Sequence, residues 1–192
     1  MLLGKNKIFF IVIVTLASIL RLWQLGQVPP SPDWDEAALG YNAYSIRETG
    51  KDEYGTLLPI ILRSFDDYKP ALYAYFVIPF ISLFGLDVFA VRLVSALFGI
   101  ATVIAVYFIL RELIINSKSE ISNPKQIQNS NDQNPKHLLE NAIPLLSAGL
   151  LAISPWHIQF SRIAFESNVG LALNVFSVLF FIKGVKKPLF LL

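Results

Sequence analysis

The sequence has no cysteine, few charged residues and none of the common nucleotide-binding patterns. Cysteine is absent from all 192 residues, which excludes disulfide bonds and thiolate sites. Charged residues make up 16% of the chain and hydrophobic residues 54%, and this balance excludes an ordinary soluble domain. No glycine-rich phosphate loop and no basic nucleic-acid patch is present. The two histidines, His137 and His157, show no metal-ligand spacing.

What is present is a series of apolar segments. Five runs carry no charge, at residues 8–20, 71–86, 93–110, 142–156 and 169–182. Several of them approach the ~20 residues that a helix needs to cross a bilayer. We therefore predict an all-α, polytopic helical membrane protein.

We place the predicted spans near residues 8–25, 88–115, 141–158 and 167–183, with the start of another at 188–192. The first run could also be a signal peptide, but no small-residue cleavage site follows it. We therefore interpret it as a retained span.

A polar, acid-rich stretch at residues 29–70 interrupts the apolar runs. It holds eight of the chain's fourteen carboxylates, so we expect it to supply most of the reactive groups. Within it, residues 36–49 have the pattern of a short amphipathic helix, with Asp35 as N-cap and Gly50 just after its end. Ala37, Tyr41 and Tyr44 fall on one face of this helix. It is too short and too polar to span, so we expect it along the membrane surface.

The distribution of lysines predicts the topology. Lys5 and Lys7 precede the first span and should remain in the cytoplasm, which places residues 27–87 outside and 116–140 in a cytoplasmic loop. This requires the apolar segment 71–84 to be a second interfacial helix, or one that dips into the bilayer. The alternative is an ordinary short span, which would put 116–140 outside.

Several short motifs, in order, resemble a known family. Asp35-Glu36 opens the surface helix, Lys69-Pro70 leads the apolar segment, and Phe84-Gly85 begins a stretch that ends with Ser-Ala-Leu-Phe-Gly at 95–99. The chain is similar to the N-terminal module of the GT-C membrane glycosyltransferases, in particular the protein mannosyltransferase and aminoarabinose transferase group, glycosyltransferase family 39. Members are typically much longer, so we expect this chain to correspond to their N-terminal part only.

The resemblance implies transfer of a sugar from a polyprenyl-phosphate carrier to an acceptor hydroxyl at the outer membrane face. The acceptor would be a protein, a lipid or a glycan, and the enzyme would be a multi-pass protein of a bacterial or archaeal plasma membrane. In the family, the aspartate of the Asp-Glu pair is the base, which corresponds to Asp35 here. Glu36 would orient the acceptor or share the proton. The alternative for Asp35 is a cap of a surface helix.

Lys69 matches a lysine that lies beside the carrier phosphate in some relatives; its alternative is general binding of lipid headgroups. Arg162 is predicted either to bind the donor phosphate or to pair with Glu166 four residues later. Relatives often have an aspartate where this chain has Glu166. The candidate substrate or metal ligands are Glu166, Asp66, Asp67 and Tyr41.

Other functions stay open at this stage. No cofactor is required, and a divalent metal ion is left as an option. A non-catalytic truncated membrane scaffold or lipid-binding paralogue is the main alternative. A transporter component is disfavoured because the predicted spans contain almost no ionisable groups. Expected partners are the lipid-linked sugar, its acceptor and membrane lipids, with no nucleic acid.

Overall fold

The structure, a computed structural model, describes residues 2–64, 67–121 and 135–186. These ranges contain helices and one two-stranded antiparallel sheet. The elements in chain order are α1 (Leu2–Leu22), α2 (Trp34–Thr49), β1 (Ile61–Ser64), β2 (Asp67–Pro70), α3 (Leu72–Phe84), α4 (Val88–Ile121), α5 (Pro135–Ile153), α6 (Pro155–Ser161) and α7 (Glu166–Lys186).

The β-hairpin is a departure from the predicted all-α fold. Its register pairs Leu62 with Lys69 and Ser64 with Asp67. Leu62, Ser64 and Lys69 are buried, and they share the inner face because directly paired and alternate residues of a hairpin project to one side. Pro70 ends β2, a position where its missing N–H costs nothing in the sheet. The hairpin therefore turns the lysine of the Lys-Pro motif inward.

Helix α4 is the central element. Its 34 residues pack against α1, α3, α5 and α7, and its first turns also contact α2 and α6. The main core lies where α2, α3, α4, the hairpin and the start of α7 meet. Its buried side chains are Leu39, Ala43, Ile46, Leu62, Ala71, Tyr73, Ala74, Val77, Ile81, Ala90, Val91, Val94, Ala164 and Val169.

Small residues bring the long helices close together. A second cluster, Ala17, Val103, Ala148 and Ala152, joins α1, α4 and α5, as is usual where helices pack in a membrane. Gly99 marks a close approach of α4 to α6, since a Cβ there would lie 2.1 Å from the Ser161 Oγ. Any larger residue at position 99 would push α4 away from α6.

The helices agree with an integral membrane protein. Among the described residues, Val88–Ile114 and Glu166–Val185 are long and apolar enough to cross a membrane. A bent pair, Ala142–Ile153 and Pro155–Ser161, raises the number to three if it forms one span. The span near 8–25 falls on α1 and stays a prediction.

Several predicted boundaries differ from the structure. The predicted span 141–158 crosses a break, because α5 ends at Ile153 and α6 starts at Pro155 after a 60° bend. Pro155 fits the first position of a helix and disfavours helix in the residue before it. Helix α4 continues to Ile121, past the predicted end at 115. The middle of the predicted loop 116–140 and the predicted span start at 188–192 lie outside the described residues.

The predicted interfacial segment 71–84 corresponds to α3. Its 13 residues rise about 20 Å, less than the ~30 Å of a bilayer core. This length favours the prediction that it does not span, and its position relative to a membrane stays a prediction.

Candidate functional site

The site is built around the first turn of α2. Asp33 is the N-cap, and its side chain accepts a hydrogen bond of 2.8 Å from the Glu36 backbone N–H. The Glu36 carboxylate in turn accepts from the Asp33 backbone N–H at 3.2 Å, which completes a capping box. The predicted cap, Asp35, is therefore wrong: the helix begins two residues earlier than expected, and Asp35 lies inside its first turn.

Glu36 forms a buried ion pair with Arg92. The two side chains are 3% and 1% exposed, and the guanidinium binds the carboxylate through two hydrogen bonds, Nε to Oε1 and Nη2 to Oε2, each of 2.8 Å. The Ala164 backbone N–H adds a bond of 2.6 Å to Oε1. With the bond from Asp33, four donors fill the four acceptor positions of this carboxylate. Arg92 therefore neutralises an acid of the polar stretch 29–70.

The remaining donors of Arg92 hold the connection between α1 and α2. Nη1 donates to Leu25 O at 3.1 Å and Pro29 O at 2.8 Å, and Nη2 donates to Ser31 O at 3.0 Å. All five N–H donors of the guanidinium are therefore used. Ser31 has a positive φ of 61°, a conformation that is uncommon outside glycine. The bond to its carbonyl helps to stabilise that turn just before the site.

Arg162 secures the same connection from the other side. Its guanidinium donates to Leu20 O at 2.8 Å, Trp23 O at 2.7 Å and Val28 O at 2.8 Å. Burial lowers the pKa of Arg162, and the nearby charge of Arg92 lowers it further. The predicted pairing with Glu166 is not found among the described residues. The two arginines thus hold the carbonyls of residues 20–31 and position the start of α2.

Asp35 and Lys69 come together although 34 residues separate them. The Lys69 Nζ donates to Asp35 Oδ1. The lysine side chain is 4% exposed, whereas the aspartate side chain is 42% exposed. A buried cation therefore stands behind an accessible carboxylate. The sequence predicted that these residues lie on the same side of the membrane, and the structure brings them into direct contact.

The other predicted site residues lie around this pair or apart from it. Tyr41 is half exposed and, with Glu36, lines a cavity of about 240 Å³ between α2 and the start of α4. Asp67 is exposed at the start of β2, where it accepts from the Tyr68 N–H at 2.8 Å. Asp66 lies outside the described residues. Glu166 is the partly buried first residue of α7.

Tyr73 reports on how close Glu166 lies. The Tyr73 hydroxyl donates to Val91 O at 2.9 Å. Burial raises the pKa of Tyr73, and the negative charges of Glu36 and Glu166 raise it further. Tyr73 thus lies within electrostatic range of both carboxylates. In the part of the chain that the structure describes, no group of three or more acidic or histidine side chains is arranged to hold a metal ion.

Two parts of the site were not predicted from the sequence. The spacing Asp33-x-x-Glu36 is a capping-box signal that could have identified the true start of α2. The contacts of Arg92 and Arg162 could not have been found in this way, because their partners, the Glu36 carboxylate and several backbone carbonyls, are far away in the sequence.

Apolar helices that are long enough to cross a membrane indicate an integral membrane protein, and a buried charge network lies at the start of α4. Comparison with protein families shows which family the chain belongs to. Residues 11–119 match the model of the dolichyl-phosphate-mannose-protein mannosyltransferase family, and the chain belongs to this family of GT-C membrane glycosyltransferases. Among curated proteins and solved structures, none matches the chain.

Proposed function

We infer that this protein is an inverting glycosyltransferase. It moves a sugar from a polyprenyl-phosphate carrier to an acceptor hydroxyl at the outer face of the membrane. The observation that carries this inference is the Asp35–Lys69 pair, an accessible carboxylate beside a buried ammonium group. The family description names a lipid-phosphate sugar donor and a protein acceptor, and this pair offers the two charges that such a transfer needs.

In the proposed reaction, the Asp35 carboxylate takes the proton of the acceptor hydroxyl. The acceptor oxygen attacks the anomeric carbon from the face opposite the phosphate, and the bond between that carbon and the phosphate oxygen breaks. The electron pair remains on the departing phosphate, and the configuration at the anomeric carbon is inverted. Lys69 supplies positive charge to the phosphate as its negative charge grows.

Glu36 has a positioning role in this proposal. Four hydrogen bonds occupy its carboxylate, so no acceptor position is left for a substrate hydroxyl. The sequence-based role in orienting the acceptor is therefore better filled by residues with exposed polar groups, of which Tyr41 is one. Glu166 and Asp67 stay candidates for contacts with substrate or a divalent metal.

The phosphate role predicted for Arg162 is disfavoured in the same way, since its guanidinium is directed at three carbonyls. Lys69 alone carries the donor-phosphate role in our proposal. Arg162 contributes by holding the segment that leads into α2.

The experiment is sugar transfer from a polyprenyl-phosphate sugar by the full chain in proteoliposomes, with wild type and Asp35→Asn compared. Loss of a general base lowers turnover by about 10²–10⁴-fold, so the variant should be nearly inactive while binding the carrier lipid normally. Glu48→Gln is the matched control, because Glu48 is an exposed acid on the same helix, and its turnover should equal that of wild type.

Equal turnover in Asp35→Asn and wild type removes Asp35 from the role of base. If neither protein transfers sugar while both bind the carrier, the non-catalytic lipid-binding alternative is correct.

A further inference from the structure

An apolar patch lies on the loop between α2 and the hairpin and continues onto the hairpin. Its large side chains are all more than half exposed, although leucine and isoleucine are usually buried in folded proteins. Ile60, at 87%, is the most exposed large apolar side chain of the residues that the structure describes. The patch consists of Tyr54, Leu57, Leu58, Ile60, Ile61 and Tyr68. Exposed patches of this kind mark surfaces that contact a partner or a membrane.

The hairpin and the loop form one surface through Arg63. This arginine is paired with Tyr68 across the hairpin. Both are exposed on the outer face, since the buried residues Leu62 and Lys69 alternate with them along the strands. The guanidinium carbon of Arg63 lies 5.3 Å from the centre of the Tyr54 ring. One cationic side chain therefore stands among two tyrosines and several aliphatic side chains.

Hydrogen bonds give the loop a defined conformation. The buried Asp52 carboxylate accepts from the Tyr54 N–H at 3.0 Å and from the Thr56 N–H at 2.7 Å. The acid of the loop, Glu53, is directed toward α2, where it accepts from Asn42 Nδ2 at 2.9 Å. The loop thus holds its polar groups on the protein side and presents its apolar side chains outward.

Leu58 is the strained member of the patch. It has a positive φ of 43°, which is uncommon for residues other than glycine, and its N–H donates to Gly50 O at 2.9 Å. Its side chain is 62% exposed, so burial among the described residues does not offset this strain. A strained residue that persists at a surface motivates a functional hypothesis, and an apolar phase outside the chain would supply the missing burial.

The position of α3 gives the height of the patch relative to the candidate span Val88–Ile114. At one end of α3, the Phe84 ring lies 5.6 Å from the Phe89 ring. At the other end, the Tyr73 hydroxyl donates to Val91 O at 2.9 Å. These two contacts are about 3 Å apart along the axis of α4, whereas α3 is about 20 Å long. Helix α3 therefore lies across the first turns of the span.

The patch is joined to the start of α3. The Ala71 N–H donates to Ile60 O at 2.9 Å. The Tyr75 hydroxyl donates to Pro59 O, also at 2.9 Å. The patch is thereby held at the level of the first turns of the span, which is the level of the lipid headgroups when the span crosses a bilayer. Tyrosine is enriched at this level, and arginine extends from apolar surroundings toward water there.

We propose that the patch is inserted into the headgroup layer of the membrane that α4 crosses, with its leucines and Ile60 against the upper acyl chains. Arg63 and the two tyrosines then lie among the lipid phosphates and glycerol groups. Lipid is favoured over a protein partner because the patch is fixed at headgroup height and combines aliphatic, aromatic and basic side chains, as membrane-bound surfaces do. This insertion is independent of the proposed sugar transfer, because it involves neither Asp35 nor Lys69.

The test is a measurement of depth in the membrane by spin labelling. The chain has no cysteine, so a label on one introduced cysteine reports on one position. The full chain is labelled at Ile60→Cys, at Leu57→Cys or at the control Glu48→Cys, and is reconstituted into vesicles of phosphatidylcholine and phosphatidylglycerol. All three side chains are exposed, so the substitutions should leave the fold intact. Paramagnetic resonance then measures collisions of each label with oxygen, which concentrates in hydrocarbon, and with a water-soluble nickel chelate.

The ratio of oxygen to nickel collisions at positions 57 and 60 should be at least about tenfold higher than at position 48, since hydrocarbon excludes a polar chelate. An equal ratio at positions 60 and 48 would place the patch in water and overturn the proposal. Few collisions with either reagent at positions 57 and 60 would show that protein covers the patch, and this result would overturn the proposal as well.

Discussion

Asp35 and Glu36 are neighbours in the sequence with opposite surroundings. The Asp35 side chain is 42% exposed and pairs with Lys69 of the hairpin. The Glu36 side chain is 3% exposed and binds Arg92 of α4. Consecutive residues of a helix point about 100° apart, so one turn of α2 directs one acid toward the open surface and the other into the core.

This difference separates a reactive group from a supporting one. A base must reach a substrate proton, and only Asp35 of the two is accessible. A buried ion pair adds little net stability, but removal of one partner leaves a buried charge and is strongly destabilising. We therefore expect changes at Glu36 to act through folding and changes at Asp35 to act through catalysis.

The largest effect is expected for Arg92→Met, which disrupts the buried Glu36–Arg92 ion pair. The variant leaves the Glu36 carboxylate buried without its cation, and we expect the free energy of unfolding to fall by about 3–5 kcal/mol. Denaturant unfolding in detergent measures this change. Arg111→Met, at an exposed arginine of the same helix, should stay within about 0.5 kcal/mol of wild type. Similar losses in the two variants would contradict the account.

The variant Lys69→Met tests the catalytic role of the accessible Asp35–Lys69 pair. It keeps the buried side-chain volume and removes the charge. Loss of a preorganised charge that stabilises a transition state lowers turnover by about 10²–10³-fold, and we expect an effect of this order on kcat/KM for the lipid-linked sugar. Lys51→Met, at an exposed lysine of the loop after α2, should leave kcat/KM unchanged. If both lysine variants lose activity equally, the effect comes from surface charge in general.

The smallest expected effect on stability concerns Asp33, the N-cap of the helix turn that carries Asp35 and Glu36. Asp33→Ala removes the side-chain bond to the Glu36 N–H and should lower the free energy of unfolding by about 1 kcal/mol. Asp33→Asn retains a good N-cap and should be close to wild type. A thermal unfolding series of the two variants measures the difference, and equal midpoints would show that the capping box contributes nothing.

Much of the helical fold could be predicted because apolar runs and helix-ending residues are local signals. The core segments of α3, α4 and α7 follow from their apolar runs, and Gly50 ends α2 with a positive φ of 72° as expected. The hairpin escaped prediction because its two strands have only four residues each, too few for a clear alternation. The break before Pro155 was passed over because the apolar composition continues across it.

The site was predictable only in part. Asp35 and Lys69 were selected by their resemblance to a family pattern, and their contact depends on the hairpin that the sequence did not predict. The partners of Glu36 are 56 and 128 residues away in the chain, at Arg92 and Ala164. No local pattern encodes such contacts, because they arise from the rotation of α2 against α4 and from the path of the chain between α6 and α7.

The most direct measurement compares Asp35→Asn and Glu36→Gln side by side, with unfolding and sugar transfer recorded on the same preparations. We expect Asp35→Asn to lose at least about 10²-fold of its turnover and to lose less stability than Glu36→Gln, because the Asp35 side chain is open to solvent although Lys69 is buried. We expect Glu36→Gln to lose about 3–5 kcal/mol of stability. A stable Glu36→Gln protein together with a fully active Asp35→Asn protein would contradict the division of roles between the two acids.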